Sequence, residues 1–340
     1  MPEVSARKRI WGWFFFDWAS QPFHTLLVTF IFGPYFASIA AAQYLASGLE
    51  QDVANAQAQS IWALTITIAG LIIGFGAPLI GAMADTTGRR IPWIAAFSVM
   101  YVIGAGSLWF AYPDGSNMIL MLVAFAFGFI GAEFALIFIN SQLPDLGTQD
   151  ETGELSGNAF AFGYLGGFIA LVLALLLLTE QENGKTLIGL DPLFGFNAAE
   201  REGTRAVGLL VAGWYAVFMI PYFMWMRDRP VHRTGGIGRA LGQLLALIGS
   251  LRHKLSLTTY LFSSMFYRDA LNGLYAFGGT YATFVLGWGI VQVGIFGIVA
   301  ILASVVFCWV CGKVDKMIGP KPIAIACICL LYTSPSPRDS

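Results

Sequence analysis

Eight times in 340 residues the chain runs for 20 or more positions with almost no charge, and this pattern decides what it can fold into. The runs are read at 22–44, 60–84, 91–111, 117–141, 158–179, 206–226, 258–285 and 290–311, and a ninth begins near Pro322 without being finished. A hydrocarbon core of about 30 Å takes ~20 apolar residues in a helix. The runs are long rather than short and alternating, so they satisfy their backbone groups as helices and not as barrel strands. Composition agrees: 57% of residues are hydrophobic and only 11% charged, where a soluble domain carries about a quarter charged. A net charge of −1 gives no basic field for nucleic acid, and four cysteines make no disulfide framework. The expectation is an all-α polytopic membrane protein.

Lysine and arginine set the orientation. With the N-terminus inside, 14 of them, from Arg7-Lys8-Arg9 to Lys321, fall on one side, against Lys185, Arg201 and Arg205 on the other. That bias predicts a cytoplasmic N-terminus. The loop from Pro144 to Gly157 dissents, because it carries Asp145, Asp150, Glu151 and Glu154 with no base. Acidic residues weigh little in this rule, so the loop is also read as inside. Arg7-Lys8-Arg9 ahead of an apolar run has the outline of a cleavable signal, but the run is too long and holds Asp17 and Pro34.

Segment 227–257 divides the chain. Ile237, Leu241, Leu244, Ile248 and Leu251 repeat at helical spacing there, as in a helix lying in the membrane interface. A six-span half, 1–226, precedes it, and the start of a second half, 258–328, follows. From Cys329 a spanning run turns into Leu-Leu-Tyr-Thr-Ser-Pro-Ser-Pro-Arg-Asp. That stretch resembles the in-frame translation of a transposon end plus library adapter, so 329–340 is read as artefact. Natural sequence is then expected to end near Ile328, with the parent protein continuing.

Ionisable groups inside spans are costly and point to function. Glu133 has apolar sequence on both sides, with Asn140 two turns on along the same face. A buried carboxyl there is a candidate proton carrier; a structural hydrogen bond to a neighbouring helix is the alternative. Asp17 and His24, seven apart, share a helical face with Gln21 between them, although Asp17 is also placed to lie at the membrane surface. In the seventh span Arg268-Asp269 stands with Asn272, and Arg268, Asn272 and Tyr275 fall on one face. An arginine at that depth suits a substrate carboxylate or an acid of the opposite half, and a structural ion pair is the competing account.

Between the second and third runs lies Gly81-Ala-Met-Ala-Asp85-Thr-Thr-Gly88-Arg89-Arg90. Gly81 permits close helix approach and Gly88 a tight reversal. The spacing resembles the signature loop of the major facilitator superfamily, which latches the two halves of such carriers together on the cytoplasmic side. A weaker echo, Gly312-Lys-Val-Asp315-Lys-Met-Ile-Gly319, follows the eighth run. Phe16-Asp17-Trp18-Ala19-Ser20-Gln21-Pro22-Phe23, Leu143-Pro144-Asp145-Leu146 and Gly153-Glu154-Leu155-Ser156-Gly157 are similar to the bacterial branch related to the vacuolar amino-acid effluxers.

That resemblance implies a six-plus-six helix bundle, here cut after about eight and a half spans, in the cytoplasmic membrane. It implies alternating-access transport of a small solute, amino acids or similar zwitterions among the candidates, with proton coupling open. The expected pathway is Asp17, Gln21, His24, Glu133, Asn140, Arg268, Asp269 and Asn272. The expected gate is Gly81, Asp85, Gly88, Arg89, Arg90 and Asp315. A chain with two spans of its second half cannot enclose a central site, so transport is expected of the continued parent only. The alternative class is a non-transporting receptor or assembly subunit.

Other motifs carry no chemistry. Cys308-x-x-Cys311 lies in apolar sequence, so no metal is expected, and Gly184-Lys185-Thr186 lacks the first glycine of a phosphate loop. No catalytic triad, cofactor site or nucleic-acid surface is read, and no oligomer is implied.

Overall fold

The computed structural model describes residues 4–333 apart from 88, 149, 182, 229–241, 243, 244, 247 and 289. The elements of the described residues are helices: α1 Ala6–Pro22, α2 Phe32–Ala46, α3 Gln51–Thr87, α4 Ile91–Ser107, α5 Met118–Asn140, α6 Thr152–Leu173, α7 Glu202–Phe218 and α8 Ile220–Trp225. Then come α9 Leu255–Phe284, α10 Ile290–Ile318 and α11 Pro320–Thr333. Among the described residues seven helical stretches are long and apolar enough to cross a membrane. The 30-residue α9 is long enough but is not one of the seven. Its Ser, Thr, Arg268, Asp269 and Asn272 dilute the apolar content that the sequence reading counted as a span.

The first crossing is longer than the 22–44 run suggests. α1 and α2 are joined by a π-helical stretch, Phe23–Phe30, into one candidate span from Ala6 to Ala46. Pro22 stands at its start, and Ile31 N–H donates to the Leu26 carbonyl five residues back (3.0 Å). Such stretches widen a helix and often sit at functional positions.

α1 with its π stretch runs through the middle of the bundle: Trp13, Phe16, Phe23, Leu26 and Leu27 are buried. α6 lies along α1, α4 along α5 and α7, and α2 along α3. In lipid no hydrophobic drive brings helices together, so contact rests on small residues and interhelical hydrogen bonds. Both are visible. Gly104 of α4 meets the backbone of Gly128 on α5, and Gly131 meets the backbone of Phe97 and Tyr101. Trp13 Nε1 donates to the Ile139 carbonyl (3.0 Å), Trp214 Nε1 to that of Trp18 (3.0 Å), and Ser98 pairs with Tyr215 (2.8 Å).

Glycine faces did not all behave alike. On α6, Gly163, Gly166 and Gly167 receive α1. On α3, Gly76 meets the Phe134 ring, but Gly70, Gly74 and Gly81 have nothing within 4 Å of a Cβ position. The close approach expected at Gly81 is therefore absent among the described residues, because no described helix covers that face. The expected interfacial helix of 227–257 falls largely outside the described residues, as does the tail from 334.

The glycine crossing gives a stability test. Gly104→Val forces α4 and α5 apart and should cost about 1–3 kcal/mol, as overpacking does. Gly70→Val, which meets open space, should leave the unfolding temperature in detergent unchanged.

Candidate functional site

Midway through the bundle, α1 and α5 bring two titratable side chains together. His24 Nε2 lies 3.5 Å from Glu133 Oε1, and both side chains are partly exposed. His24 is the second residue of the π stretch, and Glu133 sits two turns, about 10 Å, before the end of α5. Phe129, one turn earlier on the same face of α5, sets its ring across His24 at 6.1 Å and 74°. The imidazole thus sits between a ring and a carboxylate. A pair at this distance can hand a proton between its members or hold a cationic group against the carboxylate.

Asp17 is not at the mouth beside this pair. It is buried at 7% exposure on the α6 side of α1, where a Cβ on Gly163 would come within 3.0 Å of its own Cβ. Among the described residues its carboxylate makes no hydrogen bond or ion pair. Gln21 lies one turn along against Gly167, which also meets Thr25 Oγ1. The expected single polar face is therefore split: Asp17 and Gln21 turn to α6, and His24 turns to α5. The π stretch opens at Phe23, one residue before His24, so the α-helical period of α1 ends there. Asn140 is exposed at the end of α5 and does not join Glu133.

Arg268, Asp269 and Asn272 are exposed on α9, and no ion pair from the described residues reaches the first two. The Tyr275 side chain, expected on their face, lies outside the described residues. α9 and α10 do touch the first bundle at the π stretch. Gly279 lies against the Thr29 carbonyl, 3.0 Å from a Cβ position, and Gly297 against the Phe30 ring.

At the end of the bundle that holds the N-terminus, the acidic loop that defied the charge count finds its bases. Asp145 lies 3.8 Å from Arg90, its carbonyl accepts from Arg9 (3.4 Å), and Arg90 also donates to the Ser141 carbonyl (3.0 Å). Asp228 caps α4, accepting the N–H groups of Arg90 (3.0 Å) and Ile91 (3.1 Å). Lys316 at the end of α10 pairs with Glu154 at the start of α6 (3.0 Å). Asp315 presses against Gly153, and Gly312 against Gly157. Of the expected gate, Arg90 and Asp315 thus make contacts between elements, and Arg89 is exposed. Gly88 and the Asp85 side chain lie outside the described residues.

Sequence reasoning missed Asp228, Glu154 and Lys316 as partners, and it missed a buried cluster at the opposite end. There Glu180 accepts from Thr204 N–H (3.1 Å) and hydroxyl (2.8 Å) at the start of α7. Arg205, 3% exposed, donates to the Trp109 carbonyl (2.8 Å) and lies over the Trp109 and Tyr112 rings. Glu180 and Arg205 flank spans in sequence, where a charge reads as solvated; only their contacts reveal a buried pair of sites.

The Lys316–Glu154 contact between α10 and α6 can be weighed. Both side chains are partly solvated, so a double-mutant cycle of Glu154→Gln with Lys316→Met should give a coupling of about 0.2–1 kcal/mol in detergent unfolding. Beside it, the N–H and hydroxyl of Thr148 both donate to Glu151 (2.9 Å each) and hold its carboxyl below the usual glutamate range. A carboxyl lowered on folding stabilises the fold above its unfolded value, and this contribution fades as pH falls through the folded one. Glu151→Gln should accordingly lower stability in the neutral region and flatten the acid limb, so that the variant and the unaltered protein converge at low pH.

Comparison with known proteins bears on the whole chain. A family model described as "Vacuole effluxer Atg22 like" matches residues 5–335. The uncharacterized MFS-type transporter YxiO of Bacillus subtilis (strain 168) is 23% identical over 279 residues, 80% of this chain and 59% of its own length. The chain therefore spans about three fifths of that relative's length. Matched along nearly all its residues, this all-helical, multi-pass membrane protein belongs to the vacuole effluxer Atg22-like family, of major facilitator type.

Proposed function

We propose that the chain is the first bundle and the opening helices of the second in a carrier that moves a small solute by alternating access. The relative is named a transporter and the family is named for effluxers, and both names support the class. The observation that carries the mechanism is the His24–Glu133 pair at 3.5 Å. Two titratable groups inside a membrane bundle are expensive to keep unless they serve a path for protons or charged solute.

In this reading Glu133 takes and releases a proton, with His24 as its exchange partner. Release of the proton leaves a carboxylate that favours an ammonium group of the solute. Arg268 stands on α9, eleven residues or about 16 Å along the helix from the Gly279 contact with α1. An arginine held there suits a carboxylate, so a solute with both groups, an amino acid or similar zwitterion, fits the two sites. The contacts at Arg90, Asp145, Lys316 and Glu154 close the end that holds the N-terminus, which the basic-residue bias assigns to the cytoplasm.

The test is flux in liposomes holding the product of the complete reading frame, under an imposed pH gradient. Glu133→Gln should lower gradient-driven flux at least about tenfold, while exchange of labelled for unlabelled solute persists at raised solute concentration, because exchange needs no proton release and the neutral amide only holds the ammonium group less tightly. Unchanged gradient-driven flux in Glu133→Gln removes the proton role. Absence of any solute-dependent flux in the unaltered protein favours a non-transporting receptor or subunit instead.

A further inference from the structure

Between α6 and α7, residues 179–181 and 183–201 form a loop tied down by hydrogen bonds. Gln181 N–H donates to the Lys185 carbonyl (2.9 Å), Thr186 N–H to that of Leu190 (2.8 Å), and Asn197 N–H to the Glu202 carboxylate (2.9 Å). One bond sets its depth: Leu187 N–H donates to the carbonyl of Leu175 (3.2 Å), a residue of the spanning stretch Thr152–Leu178. The chain therefore turns back alongside the last turn of its own span instead of leaving it.

A loop this well ordered and bathed in water would show polar side chains. Instead Ile188, Leu190, Leu193 and Phe194 face outward, Leu190 at 59% and Phe194 at 81% exposure. Phe194 also holds a left-handed backbone (φ 62, ψ 12), with Gly195 beyond it at φ 70. A bulky residue seldom adopts that conformation, and such strain persists where something outside the local chain repays it. Nearby aromatics continue the apolar surface: Phe194 meets Phe196 (5.8 Å), and Phe196 meets Trp109 (5.7 Å) at the end of the span Ile91–Phe110. Two charges beside this surface pair with each other, Lys185 with Asp191 (2.6 Å), the latter 78% exposed.

We propose that residues 187–194 are an interfacial anchor, which sets Ile188, Leu190 and Phe194 into the acyl–headgroup boundary of the leaflet opposite the N-terminal end. Aromatic and aliphatic side chains beside the exit of a span have the lipid boundary as their partner. The depth fixed by Leu175 favours lipid over a soluble partner. The anchor holds the α6–α7 connection at the membrane surface, whatever the solute carried.

Spin labelling tests this. Cys308, Cys311, Cys327 and Cys329 are replaced by Ala, and a nitroxide is attached at Phe194→Cys, Leu190→Cys or Asp191→Cys in the full chain. The protein is placed in phosphatidylethanolamine–phosphatidylglycerol liposomes. Collisions with oxygen, which enters lipid, are compared with those of a water-soluble nickel chelate. Labels at 190 and 194 should favour oxygen severalfold more than the label at 191, and Leu190→Cys keeps the test decisive if Phe194→Cys disturbs the turn. Equal nickel access at all three sites overturns the anchor. Shielding of 190 and 194 from both reagents overturns it too, since a protein surface then covers the loop.

Discussion

The bundle depends on how closely other helices can approach α1. In lipid, bringing two apolar helices together gains little unless backbones come near enough for dense contact and direct hydrogen bonds. Gly163, Gly166 and Gly167 let α6 lie against Asp17, Trp18 and Gln21, while Gly104 and Gly128 let α4 and α5 touch through their backbones. Indole donors then bridge the helices, from Trp13 to Ile139 and from Trp214 to Trp18. The same closeness buries Asp17, for the glycines that admit α1 also enclose its carboxyl.

Charges are sorted by this packing into three levels. At the N-terminal end, Arg9, Arg90, Asp145 and Asp228 join α1, α4, α5 and the segment after α8, and Lys316–Glu154 joins α10 to α6. At the far end, Glu180 caps α7 and Arg205 is held over aromatic rings. Between them the His24–Glu133 pair stands where the π stretch follows α1, and Asp17 lies buried nearby on the α6 side. The contacts of α9 and α10 reach this same stretch, at Thr29 and Phe30, so those helices lean on the segment that contains His24. The π stretch is thus the element through which a movement of those helices would be felt at the titratable pair.

Much of this was legible before any coordinates. Long uncharged runs gave the helical membrane class, and the apolar surroundings of Glu133 marked it as a group needing a partner. The seven-residue offset of Asp17 and His24 was less informative, because it assumes an unbroken α-helical period and α1 does not keep one. Gly81, expected to permit close approach, has an open face among the described residues, whereas Gly163 and Gly167 admit α1. A small residue permits approach but does not say which helix will come.

What the sequence by itself determined is whatever the bilayer imposes on each segment alone: helicity, length, and the segregation of basic residues to alternate loops. Those follow from the cost of unpaired backbone groups and charges in hydrocarbon, which every run meets separately. Only the tertiary structure decided the pairings. Glu133 found His24 109 residues away in the chain, Asp145 found Arg90, and Glu154 found Lys316, because helix crossing angles and depths fix which side chains meet. The loop after α6 makes the same point. Its apolar residues look unremarkable in sequence, and the hydrogen bond from Leu187 to Leu175 sets the depth at which they stand.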